Sequence, residues 1–140
     1  MPGRGLKSFS LIHALVLCAT LPYALGATAA ELAPQSRQAG GVSISVQPTD
    51  VSAAAKAWQF QVTLTTHSGD LGDDLTRTAT IVDAAGKQHP AASWEGDPAG
   101  GHHRKGVLRF KALLPRPDAL ELRILRVGET VPRKFNWKLK

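Results

Sequence analysis

From Val42 onward the chain repeats with a period of two. Val42, Ile44 and Val46 alternate with Ser43, Ser45 and Gln47 up to Pro48, and Trp58, Phe60, Val62 and Leu64 alternate with Gln59, Gln61, Thr63 and Thr65. Successive side chains of an extended strand point to opposite sides, so each run reads as a strand with one buried face. The pattern returns in Arg77 to Asp83, where Ala79 and Ile81 oppose Thr78, Thr80 and Val82, and in Val107 to Lys111, where Leu108 and Phe110 oppose Arg109 and Lys111. It returns again in Ala119 to Val127 and in Arg133 to Lys140, the latter with Phe135, Trp137 and Leu139 on one side. Asp83 to Lys87 has the composition of a hairpin turn with Gly86 in the left-handed position, which makes His89 to Trp94 the partner strand.

Seven strands of this length, separated by turn signals and with no helical run of ten residues after the first thirty, predict an all-β fold. The expected architecture is a single immunoglobulin-like antiparallel sandwich over 42–140. A small β-barrel is the alternative, because either arrangement buries one face of each strand. Residues 30–41 are rich in Ala, Gly, Gln and Ser without periodicity and read as a flexible lead-in.

The first 29 residues have a different character. Arg4 and Lys7 precede a mostly apolar run from Phe9 to Leu21, and Ala27-Thr28-Ala29 supplies the small-x-small pattern of a signal-peptidase site, with cleavage before Ala30 or Glu31. The apolar run falls short of the roughly 20 residues a spanning helix needs, so no membrane span is expected after cleavage. Cys18 lies inside that run behind Leu17, an arrangement unlike a lipidation site. A periplasmic or secreted location follows.

Removing this segment takes away Cys18 and Met1, the chain's one cysteine and one methionine. The remainder has no disulfide to stabilise it and no sulfur ligand, which excludes a blue-copper centre. The charge of the whole chain is +6, two of which are Arg4 and Lys7. What remains is unevenly spread: 30–100 carry four basic and eight acidic residues, and 101–140 carry eleven basic and three acidic ones. A basic surface suits anionic partners, although export argues against nucleic acid. The plainer reading is that Arg109, Lys111, Arg123, Arg126, Lys134 and Lys138 are solvated strand faces.

The densest candidate chemistry lies between Trp94 and Phe110. Gly96, Pro98, Gly100, Gly101 and Gly106 shape a loop that presents His102, His103, Arg104 and Lys105. Trp94, Glu95, His102, His103 and Arg104 form the candidate binding set, with Glu95 or Asp97 placed to pair with Arg104 or Lys105. His67 sits in the Asp-rich segment Thr66 to Leu75, and His67, His102 and His103 would suit zinc or copper if the two loops converge. Catalytic readings are poorer. Ser68 beside His67 with Asp70 has the residue types of a triad but lacks a nucleophile elbow, and Glu95 with Asp97 lacks a sugar-sized cleft.

Taken together, Thr66-His67-Ser68, Asp74-Leu75, Trp94-Glu95-Gly96, Gly100-Gly101-His102-His103-Arg104 and Gly106 to Phe110 resemble small exported bacterial β-sandwich domains of uncharacterised activity. The resemblance implies a compact β-domain with the histidine loop as its signature. The expected function is a non-catalytic binding or accessory module without a cofactor, meeting a cell-envelope or extracellular partner. The alternative is a metal-binding protein that uses the loop histidines for zinc or copper.

Overall fold

The computed structural model describes residues 32–140, together with Pro2, Gly3 and Gly5. The signal peptide expected over 1–29 otherwise lies outside the described residues. Among the described residues there are nine strands and one helical turn: β1 (Gln35–Ala39), β2 (Val42–Asp50), β3 (Ala57–Thr66), α1 (Leu75–Thr78), β4 (Ala79–Val82), β5 (Gln88–Pro90), β6 (Ser93–Gly96), β7 (His103–Lys111), β8 (Ala119–Ile124) and β9 (Arg133–Lys138). They form two antiparallel sheets, β1-β2-β3-β7-β6 and β5-β4-β8-β9. The sheets do not close on one another, so the fold is the sandwich and the barrel alternative is set aside. Among the described residues no helix is long and apolar enough to cross a membrane.

The alternation in the sequence becomes the inner face of each sheet. β3 contributes Trp58, Phe60, Val62 and Leu64, all buried, and registers Trp58 against Phe110 and Phe60 against Leu108 of β7. Leu120, Leu122 and Ile124 of β8 with Phe135 and Trp137 of β9 close the core from the other side. Phe60 meets Phe110 edge to face at 5.6 Å between ring centroids, and Phe135 stacks on Trp137 at 6.4 Å. Such geometries are favourable beyond simple area burial.

Nine strands replace the expected seven for two reasons. First, 35–39 is not part of a flexible lead-in but the edge strand β1, paired with β2 through the Gly40–Gly41 turn, whose residues have φ of 54° and 75°. The strand is exposed almost throughout, so its own burial does not hold it. Polar contacts to the opposite sheet do: the Gln35 side-chain amide pairs with the backbone of Asn136, Trp137 Nε1 donates to Ala33 O at 2.8 Å, and Arg133 Nη2 donates to Ala39 O at 2.9 Å. Second, the single strand expected from His89 to Trp94 is two strands in different sheets. β5 pairs with β4, the chain crosses at Ala91 and Ala92, and β6 pairs with β7. Ala91 N–H donates to Ala79 O in one sheet and Ala92 N–H to Arg109 O in the other. The crossing and the β1–β9 contacts tie the sheets together at opposite edges.

Four carboxylates sit below the usual range. Asp83 is lowered first by its hydrogen bond to His89, Asp74 by Thr76 beside it, Glu95 by Arg109 and Asp118 by Lys140. A carboxyl depressed in the folded state contributes stability that is complete above its unfolded pKa and is lost as pH falls through the folded one. The melting temperature should therefore hold from neutrality down to about pH 5 and fall below about pH 4, the unfolded carboxyl range. Scanning calorimetry across that interval checks it. A fall centred near pH 6 would implicate histidines instead.

Candidate functional site

Four connections gather at one end of the sandwich: the β1–β2 turn, the segment from His67 to Asp74, the 97–102 loop and the 125–132 loop. Backbone hydrogen bonds join the second to the third. Thr66 N–H donates to His102 O at 2.9 Å, Leu71 N–H to Gly101 O at 3.1 Å and Gly100 N–H to Leu71 O at 3.0 Å. The two histidine loops thus lie side by side through their backbones, the condition on which the metal reading depends. Thr66, buried at the end of β3, fixes the turn locally, with its hydroxyl 2.5 Å from Ser68 O and accepting Ser68 N–H at 3.2 Å.

Beneath the loops lies a buried polar network. Arg104, expected on display, is only 3% exposed, and its Nη1 donates to Leu71 O at 3.0 Å and Asp73 O at 2.7 Å. The cause is strand parity: β7 begins at His103, so Arg104 falls on the inward side with Leu108 and Phe110. Its guanidinium lies 5.4 Å from the centroid of Trp94. Trp94 in turn passes over Gly106, where a Cβ would come within 2.7 Å of the indole ring and 2.6 Å of Glu95 O. Gly106 therefore makes room for the ring that covers Arg104. Asp73, also buried, accepts Arg126 Nε at 2.6 Å and Val127 N–H at 2.9 Å through its two carboxylate oxygens. Arg133 carries the same bracing to the β1–β2 turn, donating from Nη1 to Val42 O at 2.7 Å while its guanidinium pairs with Glu129.

The candidate residues thus separate. His67, His102 and His103 are exposed, the last opposite Thr65 on the outer face of the larger sheet. Trp94 is half-buried and donates its indole N–H to Asp97 O at 2.9 Å, so it and Arg104 serve the framework. Glu95 is exposed on β6, but its partner is Arg109 rather than Arg104 or Lys105. Asp97 accepts the Lys105 backbone N–H at 2.9 Å and so closes the loop. The two acids serve different contacts and do not form a catalytic pair. Among the described residues no three His, Asp or Glu side chains group around one ion position, so His67, His102 and His103 do not make a three-ligand set.

The cationic C-terminal third is largely internal chemistry rather than a free basic face. Arg109, Arg123, Arg126 and Arg133 each pair with a carboxylate, and Arg116 donates to Val51 O and Leu139 O. The solvated-face reading holds for Lys111, Lys134 and Lys138, which are exposed. No family model matches the chain, and no curated protein or solved structure matches it.

Proposed function

We propose that the chain is an exported, non-catalytic binding module that meets a cell-envelope or extracellular partner through the loop end of the sandwich. The observation that carries this reading is the contrast within that end. Loops are braced from below by Arg104, Asp73, Arg126 and Arg133, while His67, His102, Val127 and Val131 remain exposed above them. Val127 and Val131 are 82% and 73% exposed, two apolar side chains displayed on the one 125–132 connection. Loops held by a rigid scaffold bind with less ordering cost, and mixed apolar and imidazole contacts suit a protein surface. A photo-crosslinking residue placed at His102 or Val127 in the secreting cell should give one discrete adduct, and one placed at Thr63 on the sheet face should give none. Adducts from Thr63 alone would remove the loop end as the contact surface.

The metal reading rests on the pairing that sets the His67 segment beside His102, and it still needs a third ligand. We expect zinc or copper to leave the melting temperature of the untagged protein unchanged, as it does that of a His102→Ala, His103→Ala double variant. An ion that occupied a native site would stabilise the unmodified protein by about 2.7 kcal/mol at a hundredfold excess over its dissociation constant. Stabilisation of the unmodified protein alone would establish the metal site.

A further inference from the structure

The end of the sandwich opposite the histidine loops carries a cleft that none of the preceding chemistry uses. It lies between the β4–β5 turn and the 112–118 connection, has a volume of about 560 Å³, and is walled by Ala84, Leu113, Leu114, Pro115 and Pro117. That volume falls within the roughly 300–1,000 Å³ of small-molecule sites, and an apolar wall with a few convergent polar groups is their usual make-up. Leu114 stands on its lip 84% exposed, the most exposed large apolar side chain among the described residues.

The polar groups of the cleft are unequal. Asp83 is engaged: one carboxylate oxygen accepts the N–H groups of Ala85 at 3.0 Å and Lys87 at 2.9 Å, and the other meets His89 Nε2 at 2.9 Å. Its charge closes the turn and orients the imidazole, whose other nitrogen is left for a ligand. Arg116 donates from Nε to Val51 O and from Nη1 to Leu139 O, both outside the cleft, and pairs with no carboxylate among the described residues. Lys111 is exposed, lines the cleft and has no carboxylate partner among the described residues. The cleft thus sets the Lys111 ammonium beside an apolar wall, with the Asp83 carboxylate turned to its own turn and to His89.

We propose that this cleft binds a small amphipathic anion, an organic carboxylate with an apolar body. The carboxylate would lie against the Lys111 ammonium and the body along Leu113, Leu114 and Pro115. This site is independent of the loop-end surface, and either can fail without the other.

The test uses octanoate and its neutral counterpart octan-1-ol, followed by amide chemical shifts in the ¹⁵N-labelled protein. Octanoate should shift residues 83–89 and 111–117 along one saturable curve, while shifts at Val127 and Val131 stay small. Lys111→Met, a change at an exposed position, should weaken octanoate about tenfold, close to 1.4 kcal/mol, and leave octanol binding unchanged. Leu114→Glu should abolish both. Shifts centred on Val127 and Val131, the absence of saturation, or equal weakening of octanoate and octanol by Lys111→Met would each overturn the proposal.

Discussion

Replacing Trp58 by alanine should lower stability by about 3–5 kcal/mol, a large share of the 5–15 kcal/mol available to a domain of this size. The ring is 1% exposed, is registered against Phe110 across the strand pair and lies on the inner face that also carries Phe60, which meets Phe110 in a T-shaped contact. Removing it leaves a cavity that the two sheets, tied at both edges, have little freedom to close. The indole N–H has no hydrogen-bond partner among the described residues, so Trp58→Phe should cost far less, because the polar atom it deletes is buried without compensation. Gln59, one residue along on the outer face, should tolerate alanine within about 0.5 kcal/mol. Urea midpoints at constant slope measure all three. Equal losses at 58 and 59 would mean that the facing of β3 is wrong.

The same periodicity explains how much of the fold was legible from residues alone. Strands β2, β3, β4, β7, β8 and β9 announce themselves because each buries one face, and burial is what alternation records. β1 escaped because Gln35 to Ala39 buries almost nothing and is held by amide and guanidinium contacts from a strand about a hundred residues away. The sheet change at Ala91 and Ala92 escaped because an extended strand keeps its pattern whichever partner it pairs with. The pairing of the basic residues was equally hidden, since Asp73 and Arg126 lie 53 positions apart. The glycines and histidines of the 97–102 loop mark this end of the sandwich in the sequence, but not which of its residues are displayed and which are buried.

Arg104 is the residue on which that division turns, and a signal for it existed. Counting back in twos from Phe110 and Leu108 passes Gly106 and arrives at Arg104, so the inward parity of β7 already assigned it to the interior. Cationic character argued for display, and strand parity prevailed with two carbonyls accepting from Nη1 and an indole face over the guanidinium, while Nε has no partner among the described residues. Arg104→Met keeps much of the aliphatic volume and removes the donors. Leu71 O retains the Gly100 N–H, but Asp73 O loses the Arg104 donor at 2.7 Å, and Trp94 loses its cation. A loss of about 2–4 kcal/mol is expected, with one stranded carbonyl contributing about 1–3 of it. The His102→Ala, His103→Ala double variant should stay within about 0.5 kcal/mol of the parent, as exposed substitutions do. Amide exchange should localise the difference, with Arg104→Met releasing the Leu71 and Gly100 amides while those of β3 near Trp58 remain protected. If instead the histidine variant collapsed and Arg104→Met were neutral, the loop would be held from its exposed side and the braced platform on which the binding proposal stands would not exist.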